Sequence, residues 1–156
     1  MDFLPEESFR AAVAEAFEEH RRAIGDLLPH ATVEHIGATA VPGALTMGDL
    51  DLLVSVPGEE FSDAVEVLRG RYTIHQPENW GPTFASFKQE PAGEVPVGVQ
   101  LVVADSADER SFLDWRDRLR NDPELRAEYD AMKRAEAGSG PDAYRGVKND
   151  FIRLHC

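Results

Sequence analysis

Cysteine is nearly missing from this chain: Cys156 is the only one. That excludes a disulfide framework and a cysteine-built zinc site. Basic residues are scarce too. Lys and Arg number 16 against 29 Asp and Glu, giving a formal net charge of −13 and a pI near 4.7. A surface this acidic repels phosphate backbones, which argues against generic nucleic-acid binding. No basic-then-apolar leader opens the sequence, and no apolar run approaches the length of a membrane span. The expectation is a soluble, cytoplasmic protein with no membrane partner. Internal repeats and long polar linkers are also lacking, so the chain reads as one domain, residues 1–156. That is long enough to bury a genuine core.

What is present centres on Val33 to Val56, VEHIGATAVPGALTMGDLDLLVSV. An apolar lead-in reaches a small-residue bend from Gly37 to Gly43, and Asp49-Leu50-Asp51 then runs into Leu52-Leu53-Val54. Side chains alternate along a strand, so Asp49 and Asp51 leave one face and Leu50 the other. Two carboxylates on an otherwise apolar strand are costly to desolvate unless they meet water, a cation or a basic group. Mg²⁺ or Mn²⁺ takes oxygen ligands of this kind, one or two carboxylates plus substrate phosphates. Gly37 is where a backbone loop can approach such phosphates closely.

Around this stretch the chain alternates helix and strand patterns. Phe9, Val13, Phe17, Ile24 and Leu28 form one stripe of a helix expected over Pro5 to Leu28, with a gap at His20. Strands are expected at Thr32–Ile36, Asp49–Val56, Tyr72–His75, Phe84–Gln89 and Val97–Val103. A helix with Phe61, Ala64, Val65 and Leu68 on one side separates the second from the third. Ser106 and Glu109 have capping-box spacing at the start of a helix carrying Phe112, Trp115 and Leu119. Pro123 suits the first turn of the next helix. After a break at Gly138–Pro141, a last helix carries Tyr144, Val147, Phe151 and Leu154. This order makes an α+β domain. His35, alone on its strand, reads as a packed, hydrogen-bonded residue before it reads as a catalyst.

EHIGATAVPG resembles the EHIGSTAVPG segment of the GrpB (UPF0157) family, a branch of the nucleotidyltransferase superfamily. Phe112 to Arg120 followed by Pro123-Glu124-Leu125 is similar to that family's FRDYLR…HPEL helix. Glu128-Tyr129, Lys133, Tyr144 and Lys148 match its later spacing. The resemblance implies a nucleotidyltransferase-like mixed β-sheet flanked by helices, with a helical C-terminal half. It implies Asp49 and Asp51 as metal ligands and catalytic carboxylates. It also implies Gly37, Ala38 and Thr39 at the phosphates, with Arg116, Lys133, Tyr144 and Lys148 across the cleft. The chain departs from the pattern in three places. Ala38 stands where the family usually has Ser. Met47-Gly48-Asp49-Leu50-Asp51 replaces K-P-I-I-D, losing a Lys and gaining an acid. Gln100 occupies the strand where the superfamily's third carboxylate belongs, and an amide brings no charge to a metal.

Two functions follow from the resemblance. One is Mg²⁺- or Mn²⁺-dependent transfer of a nucleoside monophosphate from an NTP to an unidentified acceptor. The other is a binding module that holds a nucleotide, a phosphorylated ligand or a protein partner without turnover.

Overall fold

The apolar strand cores draw the chain into a mixed sheet covered on both faces. The computed structural model describes residues 2–90 and 95–155. Cys156 and most of the expected Glu90–Pro96 connection lie outside the described residues. The elements are β1 (Leu4–Pro5), α1 (Arg10–Leu27), β2 (Thr32–Ile36), β3 (Leu45–Thr46), β4 (Leu50–Val56), α2 (Phe61–Arg69), β5 (Thr73–Ile74), β6 (Phe84–Gln89), β7 (Val97–Val103), α3 (Ala107–Asn121), α4 (Pro123–Ala135) and α5 (Pro141–His155). Five strands form the main sheet in the order β2-β4-β7-β6-β5. Only the β4–β7 pair is parallel. No helix among the described residues is long and apolar enough to cross a membrane.

β4 is buried on both sides, as its unbroken apolar run requires. Leu50, Leu52 and Val54 face Val13 and Ile24 of α1 and Phe61, Ala64 and Leu68 of α2. Leu53 points the other way, joining Ile36 and Val102 beneath Phe112 and Leu113 of α3. Each fully buried Leu or Val here contributes about 1.5–3 kcal/mol. A third cluster joins Val41 and Ala44 of the bend to Leu119, Leu125 and Tyr129, with Trp115 and Phe151 packed against it. The C-terminal helices therefore rest on the bend as well as on the sheet.

α1 begins at Arg10, later than the helical pattern at Pro5 suggests. Pro5 pairs with Leu45 in a two-stranded ribbon of β1 and β3, and Glu6–Ser8 make a 3₁₀ turn. The buried Glu6 carboxylate accepts from the Arg10 guanidinium and from the Gly43 backbone at 3.1 Å. Arg10 holds that carboxyl below its usual range, against the opposing effect of burial. His20 fills the gap in the apolar stripe: it is buried, with Nδ1 2.6 Å from the Tyr72 hydroxyl. At the start of α3, Ser106 Oγ accepts from the Glu109 backbone at 3.2 Å. Asp122 caps α4 by accepting from the Leu125 backbone at 3.0 Å, with Pro123 following it.

Candidate functional site

β2 and β7 flank β4 at the point where Asp51 emerges, and a glycine stands close to it on each side. Ile36 pairs with Asp51 across β2, and Gly98 pairs with it across β7. A Cβ built on Gly37 would meet Asp51 Oδ2 at 2.4 Å, and one on Gly98 would meet Oδ1 at 2.7 Å. Gly37 also has φ +79°, a region that side chains disfavour. Two glycines thus clear a slot for one carboxylate. Burial pushes the Asp51 carboxyl up to about 6, with Lys148 opposing and Asp49 adding to the rise. Asp49 sits just before β4 and stands open to water; its upward shift, led by desolvation and again opposed by Lys148, is smaller.

Asp49 is pinned from behind. Thr39 Oγ1 donates to the Asp49 carbonyl at 2.8 Å and lies 2.9 Å from His35 Nε2. The threonine has one hydroxyl hydrogen and gives it to Asp49, so His35 Nε2 carries a hydrogen and donates in turn. His35 is held neutral, its pKa pushed down to about 4 by burial and then by Arg120 and Arg116, with Glu6 opposing. Its ring stacks on Phe17 at 5.6 Å. Thr39 and His35 line a smaller cavity of about 280 Å³ on the α1 side of the bend. Thr39 is thereby set behind the carboxylates, its hydroxyl committed to the backbone.

The other residues singled out in the sequence meet around a cavity of about 450 Å³. Gly37, Ala38, Asp49 and Asp51 come from the sheet side, and Arg116, Lys133, Tyr144 and Lys148 from the helices. The basic groups differ sharply in what they are free to do. Arg116 donates to Glu34 at 2.7 Å, to Asp117 at 2.9 Å and to the His35 carbonyl at 3.3 Å, which fixes it. Lys133 is 2% exposed and donates to the Leu45 carbonyl at 2.6 Å, while Asp130 accepts from the Leu45 backbone at 3.1 Å. These two α4 side chains grip both backbone groups of one β3 residue. Burial pushes the Lys133 ammonium down to about 7, against the pull of Asp130. Arg120 donates to the Ala40 carbonyl, and Arg145 pairs with Asp142 on the surface. Lys148, half-buried on α5, has no ion-pair partner within 4 Å among the described residues. Tyr144 is buried against Phe3, its ring 5.5 Å away, and its phenol is pushed up to about 12, chiefly by burial.

The family model described as GrpB protein matches residues 7–156. The chain belongs to the GrpB family. A UPF0157 protein of Vibrio cholerae is 32% identical over 152 residues, covering 97% of this chain and 80% of that protein. A UPF0157 protein of Streptomyces coelicolor is 31% identical over 152 residues, covering 92% and 77%. The crystal structure of conserved protein GrpB from Enterococcus faecalis superposes with a TM-score of 0.72 at 23% identity over 99% of both chains. Cid1 in complex with its short product ApU superposes with a TM-score of 0.56 at 15% identity, over 83% of this chain and 40% of that one. The GrpB sheet and its helices therefore have a nucleotidyltransferase-like fold.

In this GrpB chain Asp49 and Asp51 lie together on the sheet side of the cavity. Among the described residues no group of three or more His, Cys, Asp or Glu is placed to hold a metal. Glu34 is paired with Arg116, and neither Glu34 nor Asp105 lines the cavity. Gln100 does line it, opposite Leu53 on β4, and its buried Oε1 has no hydrogen-bond partner. Asp49 and Asp51 with open space beside them fit a hard cation that draws its remaining oxygens from phosphates and water. They do not make a self-sufficient metal cage. Sequence reading missed the apolar wall of Phe3, Ile36, Phe112 and Trp115, because apolar residues at helical spacing look the same whether they face a core or a cavity. It missed Asp108 too, whose carboxylate accepts from Thr83 Oγ1 at 2.6 Å.

Proposed function

We propose that this chain binds a nucleoside triphosphate together with Mg²⁺ or Mn²⁺ and transfers its nucleoside monophosphate to an unidentified acceptor, the α–β phosphoanhydride bond breaking and pyrophosphate leaving. The observation that carries this reading is one cavity with Asp49 and Asp51 on the sheet side and, on the helix side, Lys148, which has no ion-pair partner among the described residues. Asp51, fixed in its glycine slot, and Asp49, held through its carbonyl, would take the cation. Bound there, the cation supplies charge neutralisation to the triphosphate. Lys148 would meet the phosphate oxygens and stabilise charge as it spreads in an in-line displacement. Lys133 keeps donor capacity beyond its bond to Leu45, whereas Arg116, held by two carboxylates, would act mainly by orienting α3. The apolar wall excludes water from one side of the ligand.

Gln100 favours a second reading, binding without turnover. An amide cannot take the proton of an attacking hydroxyl, and among the described residues no third acid joins the pair in a group placed to hold a metal. Calorimetry with ATP and Mg²⁺ tests the site: binding is expected in the wild type and absent in Asp51→Asn, and equal binding by the variant would overturn it. Transfer of label from α-labelled ATP to any acceptor in a cell extract then separates the two readings. Binding without transfer supports the module.

A further inference from the structure

Asp108 lines the same cavity as Asp49 and Asp51 but stands apart from them. Among the described residues it joins no group of three His, Cys, Asp or Glu placed to hold a metal. Its Oδ2 accepts from Thr83 Oγ1 at 2.6 Å, while no described residue donates to Oδ1 or forms an ion pair with it. The side chain is half-buried, so a ligand in the cavity can reach it. Its place in the fold is fixed. The Val103 backbone donates to the Thr83 carbonyl at 3.2 Å, which ties Asp108 to the far end of β7. Gly98, beside Asp51, lies five residues back along that strand, about 16 Å away.

Between the two ends α3 brings Phe112 to the cavity, one helical turn from Asp108. Phe112 is half-buried and stacks on Phe84, with ring centroids 6.1 Å apart and planes 17° from parallel, so the cavity has a supported aromatic surface there. An ionised carboxylate accepts hydrogen bonds and gives none. In a nucleotide whose phosphates sit at Asp49, Asp51 and Lys148, the ribose adjoins the α-phosphate and the base lies furthest out. The base is therefore the part that reaches Phe112 and Asp108. Guanine presents two adjacent donors on one edge, its ring N–H and its amino group. Adenine and cytosine present an amino group beside an acceptor nitrogen, and uracil a single N–H between two carbonyl oxygens that a carboxylate repels. We propose that the nucleobase lies against Phe112 and that Asp108 reads its edge, selecting guanine first and uracil last. This rests on the nucleotide reading of the cavity. Asp108 also stands in the first turn of α3, where a carboxylate favours the helix, but that role confers no base preference.

The test is calorimetry with GTP, ATP, CTP and UTP, each with Mg²⁺, on the wild type and on Asp108→Asn. The wild type should bind GTP at least about tenfold more tightly than UTP, with ATP and CTP between, since one charge-assisted hydrogen bond is enough for that factor. ITP, which keeps guanine's ring N–H and lacks its amino group, should also bind the wild type less tightly than GTP. Asp108→Asn keeps the size of the side chain and an oxygen for Thr83, but its amide no longer repels the uracil carbonyls. In this variant the GTP-to-UTP ratio should fall below about twofold, with a melting temperature within about 4 °C of the wild type. Equal binding of GTP and UTP by the wild type, or an unchanged ratio in Asp108→Asn, would overturn the proposal. A shifted melting temperature with the ratio intact would return Asp108 to the helix start alone. If the variant does not fold, GTP against ITP and UTP on the wild type decides the matter. Equal binding of all four nucleotides that Asp51→Asn abolishes removes the base contact and leaves the phosphate site standing. Binding insensitive to Asp51→Asn removes the site itself, and the base contact with it.

Discussion

Replacing Lys133 by methionine separates an architectural lysine from a phosphate ligand. Its ammonium donates to the Leu45 carbonyl at 2.6 Å, lies 3.8 Å from Asp130 and sits 4.2 Å over the Tyr129 ring. Lys133→Met leaves that carbonyl and the Asp130 carboxylate each one partner short. A hydrogen bond from a charged donor contributes about 1.5–3 kcal/mol, and breaking a buried ion pair costs about 3–5 kcal/mol. Relief of ammonium desolvation and the added apolar burial offset part of this, for a net loss near 3 kcal/mol. At about 2–4 °C per kcal/mol for a chain of this size, the melting temperature should fall by about 6–12 °C. Lys148→Ala, at a half-buried unpaired residue, should move it by less than about 2 °C while weakening ATP binding. The pH dependence gives an independent reading. Lys133 titrates near 7 in the fold and 10.5 in the open chain, so between these values the unfolded state holds the extra proton. Wild-type stability should therefore rise with pH across this window, and Lys133→Met should lack that component. Toward its upper end Tyr144, pushed up to about 12 from 10.0, begins to act in the opposite sense, so about pH 7 to 9.5 is the range to measure. Thermal melts across that range are the assay. A Lys133→Met protein that melts within about 2 °C of the wild type yet loses ATP binding would refute the architectural role.

Gly98→Ala places a methyl group 2.7 Å from Asp51 Oδ1 and should abolish Mg²⁺-dependent ATP binding with only a modest change in melting temperature; calorimetry showing normal binding would mean that the carboxylate position does not matter. His35 is held down to about 4 in the fold against 6.5 in the open chain. As pH falls through that interval the unfolded state gains a proton first, so wild-type stability should drop relative to His35→Gln, by at most about 3 kcal/mol. Denaturant titrations at pH 7 and pH 4 measure it, and a difference that stays constant with pH would dismiss the buried neutral histidine.

Much of the sheet was legible because it obeys simple periodicities. β2, β6 and β7 have the expected bounds, and β4 starts one residue inside them, at Leu50. β1 and β3 were not legible: at two residues each they are too short to carry a pattern, and their pairing moved the start of α1 from Pro5 to Arg10. His20 was half visible, as a gap in a stripe that a buried imidazole closes. The fate of the basic residues was the hardest to see. Charge and spacing put Arg116, Lys133 and Lys148 in one class, but only coordinates show two of them spent on Glu34, Asp117 and a backbone carbonyl. The aspartate pair was legible from alternation, whereas the slot that holds Asp51 depends on Gly98, a residue from a strand distant in sequence.

The cavity is assembled from parts that leave the ribosome at different times. Asp51 and Gln100 belong to the sheet and Asp49 to its edge, while Lys148, a cation lining the same cavity, belongs to α5, the last described element. A nascent chain can pair its strands and bury their apolar faces before α5 exists. Until then Asp51 lacks the cation that opposes the effects of burial and of Asp49 on its carboxyl. Arrival of α5 brings in the compensating cation. In this chain the charge balance of Asp51 therefore waits on the last described helix.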